Sequence, residues 1–224
     1  MLIVEDERLL SEMLAEVIAG EEDMQVVGVA GTVAQAVALA KKRPDVVLMD
    51  YRLPDGTGAE ATRAIKTRWA TARVVMLSAL DDDETMLESI QAGADGFLTK
   101  GCAVDDLVAA VRAARAGDLL LSGPVILEIT QRLAAVRAAQ SLQPRVETPP
   151  IELLTARQLQ ILREFANGRS VDEISQRLGV TPNTVRTHVD HILRKLRVHS
   201  KLAAVAFALR HRLIEAPLDE QRRR

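Results

Sequence analysis

The sequence predicts an open, doubly wound parallel α/β sheet followed by a separate all-helical unit, and three observations predict it. Within the first 120 residues, five short apolar runs alternate with five stretches of helical periodicity, the pattern of parallel strands joined by crossover helices. Beyond residue 153 the periodicity is helical throughout and is punctuated by capping residues and glycines. Charge divides in the same way. Residues 1–120 carry 12 Lys/Arg against 21 Asp/Glu, a net of −9, and residues 151–224 carry 14 against 8, a net of +6, in a chain whose overall charge is only −2.

In chain order, strands are expected at 2–4, 25–30, 46–50, 73–78 and 96–99, with helices at 7–19, 32–43, 57–69, 82–92 and 103–116. The first strand has three apolar residues before Glu5, so a few native residues are expected to be missing ahead of it. Pro124 suits the first turn of a further helix, along which Val125, Ile126, Ile129, Leu133 and Val136 recur at helical spacing. Gln143-Pro144-Arg145-Val146-Glu147-Thr148-Pro149-Pro150 then breaks the pattern and reads as an extended linker. From 153 on, four helices are expected. Thr155 with Gln158, and Ser170 with Glu173, fit capping boxes, and Gly168 and Gly179 close those two helices. Thr181-Pro182 opens a longer helix over 182–196, and Ser200 caps a last one to about 213. The expected domains are 1–120, a linker region 121–152, a helical domain 153–215 and a tail 216–224.

The composition excludes several classes. A hydrophobic content of 48% and a charged fraction of 27% are those of an ordinary globular protein. No apolar run approaches a membrane span, and the N-terminus lacks the basic region of a signal peptide. A single cysteine, Cys102, excludes an internal disulfide framework. The expectation is a cytoplasmic protein with no membrane partner. The acidic front and basic back suggest different partners, with nucleic acid the natural one for the back.

The chemistry of the first domain lies where the apolar runs stop. Asp50 ends Val46-Val47-Leu48-Met49, Glu5-Asp6 ends Leu2-Ile3-Val4, Ser78 ends Val74-Val75-Met76-Leu77, and Lys100 follows Phe97-Leu98-Thr99. In an open parallel sheet these strand ends face one rim, where ligands bind. Three acids, a hydroxyl and an ammonium would share one crevice. Packed carboxylates repel unless a cation joins them, and Mg²⁺ takes one or two carboxylates while bridging to phosphate oxygens. Asp50 is the central candidate nucleophile for a phosphoryl group, a transfer that needs mainly positioning and charge neutralisation.

The strings Leu2-Ile3-Val4-Glu5-Asp6, Val47-Leu48-Met49-Asp50-Tyr51-Arg52-Leu53-Pro54-Asp55-Gly56 and Phe97-Leu98-Thr99-Lys100 resemble the receiver domain of two-component response regulators over about residues 1–120. The resemblance implies that Asp50 is the phospho-acceptor. It implies a Mg²⁺ site made by Glu5, Asp6, Asp50 and the backbone carbonyl of Arg52. It further implies Ser78 and Lys100 as phosphate sensors and Phe97 as an aromatic switch following Ser78. Glu5 stands where many receivers have Asp, and Gly101 where many have Pro. Two alternatives on related folds fit less well. A haloacid-dehalogenase phosphotransferase wants an Asp at 52, where Arg52 stands, and a flavin site wants a Ser/Thr/Gly-rich loop where Glu5-Asp6-Glu7-Arg8 stands. Cys102 reads as a passive small side chain rather than a redox switch.

In the second domain, Val185, Val189, Ile192, Leu193 and Leu196 form an apolar stripe, and Arg186, Thr187 and Asp190 lie off it where they could enter a major groove. Arg186 can take guanine bidentately and Thr187 can touch a thymine methyl. Asn183, Thr184, His188, Arg194 and Lys195 are the further DNA candidates, mostly for phosphates. The segment from Leu154 to Ile214 resembles the LuxR-type DNA-binding domain of NarL/FixJ regulators, most specifically over Thr181–Leu196. Three departures stand out: Gln158 for a usual Glu, Arg197 for a usual Gly, and the acidic Asp190. His188, His191 and His199 have metal-compatible spacing but no accompanying Cys or carboxylate cluster.

Together the resemblances imply a phosphorylation-switched bacterial transcription regulator, not an enzyme. Its partners would be a sensor histidine kinase, double-stranded DNA and, once phosphorylated, a second copy of itself. Leu9, Leu10, Met13 and Leu14, with Val104, Leu107, Val108 and Val111, offer apolar faces for that homodimer, as do Leu202, Val205, Ala206 and Leu209; each set could equally be core. The alternative is a phosphorylation-independent regulator whose first domain is only an interaction module.

Overall fold

A computed structural model of the protein describes residues 1–78, 83–118 and 154–215, the side chains of Ser78, Asp83 and Glu84 excepted. The helix expected after Pro124, the Pro-containing linker, the tail beyond 215 and the hydroxyl of Ser78 lie outside the described residues. Internal contacts divide the chain into two compact units, Met1–Leu120 and Leu121–Arg224.

The first unit runs β1 (Leu2–Val4), α1 (Arg8–Ala19), β2 (Gly28–Ala30), α2 (Val33–Leu39), β3 (Val46–Asp50), β4 (Arg52–Leu53), β5 (Gly56–Thr57), α3 (Gly58–Arg68), β6 (Arg73–Ser78), α4 (Asp83–Ala92), β7 (Gly96–Thr99) and α5 (Val104–Ala116). Five strands form one parallel sheet in the order β2-β1-β3-β6-β7, the doubly wound arrangement expected. Its centre is apolar on both faces, as crossover helices require. Leu2, Ile3, Val4, Val47, Leu48, Met49, Val74, Val75 and Met76 are all fully buried. One face packs Ile3, Leu48 and Val75 against Ile18 of α1 and Leu107 and Val111 of α5. Each such side chain contributes roughly 1.5–3 kcal/mol through burial.

Two elements differ from expectation. The strand expected over 25–30 is regular only over Gly28–Ala30, because it pairs with β1 alone and that pairing begins at Leu2↔Gly28. An unexpected antiparallel hairpin, β4–β5, follows Asp50. Its turn is fastened to the start of α2, where Asp55 accepts from Val33 N at 2.7 Å and Ala34 N at 3.1 Å. Those two N–H groups hold the Asp55 carboxyl below the usual carboxylate range. Gly58, at the start of α3, donates to Tyr51 O at 2.7 Å, and a Cβ there would lie 2.1 Å from the Asp50 carbonyl oxygen. Only glycine lets α3 start this close to the strand end that carries Asp50.

The second unit has four described helices, α6 (Ala156–Ala166), α7 (Val171–Leu178), α8 (Pro182–Leu196) and α9 (Lys201–Arg210). Thr155 with Gln158 and Ser170 with Glu173 make complete capping boxes, so glutamine replaces glutamate at 158 without loss of the cap. Thr181 and Ser200 cap α8 and α9 through their hydroxyls. Arg197 ends α8 in the left-handed conformation, φ 56°, that a glycine would adopt without strain. Ile161, Phe165, Ile174, Val185, Ile192, Leu202 and Val205 make the core. Leu202, Val205 and Ala206 are buried and Leu209 is half-buried, so core packing accounts for three of the four residues of that stripe.

Candidate functional site: an acidic strand-end cluster and an exposed helix

Strands β1, β3 and β7 end at one rim of the sheet and bring their polar residues together there. Glu5 and Asp6 follow β1, Asp50 closes β3, and the two strands are neighbours in the sheet. One carboxylate oxygen from each of Glu5, Asp6 and Asp50 falls within 4.8 Å of the others. Asp50 and Glu5 are buried, at 5% and 2% exposure, while Asp6 is open to solvent. Lys100, just past β7, reaches across. Its Nζ lies 3.0 Å from Asp50 Oδ2, donates to Glu5 Oε1 at 3.1 Å, and lies 2.9 Å from Glu5 Oε2.

The electrostatics follow from that crowding. Burial pushes the Glu5 carboxyl above the usual glutamate range; the bond from Lys100 opposes this, and the charge of Asp50 adds to it. Burial presses the Lys100 ammonium down, but its bonds to Glu5 and Asp50 outweigh that and hold it above the ordinary lysine value. Glu5 Oε2 is buried, and the Lys100 ammonium 2.9 Å away, outside hydrogen-bonding geometry, is its one ion-pair partner among the described residues. Three carboxylate oxygens within 4.8 Å of one another, one of them desolvated and held only by an ion pair, are the donor set that a hard divalent cation fits. Arg52, whose carbonyl was expected to join that set, is exposed two residues past Asp50.

Phe97 is buried on β7, opposite Met76 in register, and Ser78 pairs with Thr99 at the same sheet edge. One contact had no signal in the sequence: Tyr51 Oη donates to Glu88 Oε2 of α4 at 2.5 Å, joining the residue after Asp50 to a helix 37 positions away.

The second unit presents α8. Val185, Val189, Ile192 and Leu196 are buried, and Leu193 is half-buried. Asn183, Arg186, Thr187, Asp190 and Arg194 are exposed, while Thr184 and His188 are half-buried. Thr187 Oγ1 donates back to Asn183 O at 3.0 Å, and the Thr184 hydroxyl lies 2.9 Å from that of Thr181, so both are tied into the first turns of the helix. Lys195 donates to Gln158 Oε1 at 3.1 Å, a tie to α6 that its expected place among the phosphate contacts did not foresee. Arg186 and Arg194 make no ion pair among the described residues.

Comparison with known proteins agrees with this geometry. Residues 1–112 match the response regulator receiver domain, and residues 152–208 match the luxR family of bacterial regulatory proteins. The chain is 34% identical to the response regulator GacA of Pseudomonas aeruginosa over 96% of its own length and 98% of that protein. It is 31% identical to the response regulator protein VraR of Staphylococcus aureus, again over 96% and 98%. It is 33% identical to YxjL of Bacillus subtilis, an uncharacterized transcriptional regulatory protein, over 95% and 96%. Among solved structures, a LuxR-family two-component response regulator from Aurantimonas sp. superposes with a TM-score of 0.53 at 30% identity, covering 61% of this chain and 96% of that one.

Proposed function

This chain belongs to the two-component response regulators that join a receiver to a luxR-type DNA-binding domain, and we propose on that basis that Asp50 is its phospho-acceptor and α8 its DNA reader. It is a transcriptional regulator rather than an enzyme, and its family implies a histidine kinase and DNA as partners. The observation that carries the assignment of Asp50 is the cluster of Glu5, Asp6 and Asp50 oxygens within 4.8 Å, with Lys100 Nζ 3.0 Å from Asp50 Oδ2.

Asp50 attacks the phosphorus of a kinase phosphohistidine. A P–O bond forms, the P–N bond breaks, and the imidazole leaves with the electron pair. Glu5, Asp6, Asp50 and the Arg52 carbonyl would hold Mg²⁺, which supplies positive charge against the phosphoryl oxygens. Lys100 pairs with one of those oxygens, Ser78 donates to another, and Phe97 follows Ser78. Asp50→Asn is expected to abolish labelling by acetyl phosphate, read by mass, and EDTA to suppress it in the wild type. Wild-type label in Asp50→Asn would refute the assignment.

In α8, Arg186, Thr187 and Asp190 read bases, and Asn183, Thr184, His188, Arg194 and Lys195 hold phosphates. The division of labour follows a receiver over 1–120, a linker over 121–152, a DNA-binding domain over 153–215 and a tail over 216–224, in a cytoplasmic protein. Phosphorylation favours a homodimer that places two recognition helices on half-sites about one helical turn, roughly 34–36 Å, apart. Leu9, Met13 and Val104 are the exposed apolar side chains of α1 and α5 available for it, at 66%, 54% and 55% exposure. Sedimentation with and without acetyl phosphate tests this. A phosphorylated protein that stays monomeric and binds two half-sites without cooperativity would exclude it.

A further inference from the structure

We propose that a cleft at the opposite end of the receiver sheet from Asp50 binds a nucleoside phosphate. The cleft has a volume of about 570 Å³ and is lined by Arg43, Asp45, Arg68, Trp69, Arg73 and Arg115, among others. Asp45 immediately precedes β3, the strand that Asp50 closes, and Arg73 opens β6. At about 3.3 Å per residue the cleft therefore lies roughly 16 Å from the phospho-acceptor, at the strand ends where no charged cluster was expected.

Its charge runs against that of its own domain. Four of the 12 basic side chains of residues 1–120 line it, with only one of the 21 acidic ones. Arg43, Arg68 and Arg115 are exposed, and none makes an ion pair among the described residues. Arg73 bonds Asp95 Oδ1 at 3.2 Å, but Asp95 is already neutralised by the buried Lys66, 2.5 Å from its other oxygen. Arg73 is thus fixed in place without losing its charge to the field of the cleft. The wall is also preformed. Trp69 N donates to Ile65 O at 2.8 Å, Ala72 N to Trp69 O at 3.1 Å, and Arg73 N to Asp45 O at 2.8 Å. Arg43 ends the short turn over 40–42 in the left-handed conformation, φ 53°, with its N–H bonded to Ala40 O at 2.9 Å, which fixes the backbone at this side of the cleft.

Guanidinium groups are the side chains best matched to phosphate oxygens, which they take bidentately. The half-buried indole of Trp69 offers a face on which a base can stack. Asp45 would repel a bare phosphate but can accept from a sugar hydroxyl or a base amine. The volume is that of a small-ligand site. Duplex DNA lays its phosphates along an open surface and gains nothing from a recess beside an aromatic ring.

Trp69 is the only tryptophan in the chain, so its fluorescence reports on this cleft alone. The full-length protein would be titrated with ATP and GTP, with adenosine, with inorganic triphosphate, and with short random duplex DNA. A saturable change with ATP or GTP is expected, together with weak or absent responses to adenosine and to triphosphate. Losing one charge-assisted contact in Arg68→Ala or Arg115→Ala should weaken nucleotide binding about tenfold. Both side chains are exposed and make no ion pair among the described residues, so the variants should fold, and unchanged acetyl phosphate labelling at Asp50 would show that the receiver is intact. No saturable change with either nucleotide, or wild-type affinity in both variants, would overturn the proposal. So would triphosphate binding as tightly as ATP, or a response to duplex DNA alone.

Discussion

Glu5, Asp50 and Lys100 come from three strands and meet in a largely buried cluster, whereas Asn183, Arg186, Thr187, Asp190 and Arg194 lie along a single helix and face solvent. In the first region every charge is held by another charge, so removing one changes the energy of those left behind. In the second, each side chain stands largely alone on a scaffold that its neighbours' apolar faces already hold. Substitutions in the receiver cluster should therefore be strongly non-additive and affect folding as well as chemistry. Those on the outer face of α8 should be nearly additive and affect binding only.

The largest effect on stability should come from Lys100→Ala. It strands the buried Glu5 beside Asp50 with no cation, and should cost roughly 2–3 kcal/mol in the metal-free receiver. That is less than the 3–5 kcal/mol of a fully buried pair, because the lysine is partly exposed. Denaturant unfolding checks it, and a loss near zero would erase the contrast between the regions. Next, Arg186→Ala should cost about 1–3 kcal/mol of affinity at the specific DNA site while leaving thermal stability and random-sequence binding almost unchanged. Equal losses on specific and random DNA would make Arg186 a phosphate contact instead.

The smallest and most diagnostic effect is a pH slope. Glu5 has a folded pKa raised above its unfolded value. Its contribution to stability is therefore fully present below the ordinary glutamate pKa and is lost as pH rises through the raised folded value. In metal-free protein, wild type should lose stability across that interval, and Glu5→Gln, which keeps the neutral form, should lack that part of the slope. Identical slopes would place the desolvation cost elsewhere.

How much of this was legible in the sequence depends on the range of the interaction. The strand ends were readable because an apolar run followed by an acid marks both the buried strand and its exit, and the helix caps were readable because a capping box closes over three residues. The β4–β5 hairpin was not, since its two-residue strands have no periodicity to detect. The same is true of Tyr51–Glu88 and Lys195–Gln158, which join residues 37 positions apart and leave no local pattern. The arginine cleft has no local signature for a related reason: Arg43 follows α2, Arg68 and Arg73 flank the connection from α3 to β6, and Arg115 lies in the last turn of α5, so only the fold gathers them. The αL conformation of Arg197 is a different case. The missing glycine was visible, but whether the helix would end differently or an arginine would accept the glycine's geometry was decided by packing.

The bond between Lys100 and Glu5 spans 95 positions of the chain. During synthesis, at about 5–20 residues per second, the acid near the start exists for many seconds before the lysine has been made. Until residue 100 has left the ribosome and β7 has docked beside β6, Asp50 has neither its ammonium nor a finished sheet. On the role proposed for Asp50, a nascent, truncated or partly folded chain would thus be a poor acceptor for a kinase, however well it displays that residue. On that proposal, signal reception waits for the completion of the protein's own folding.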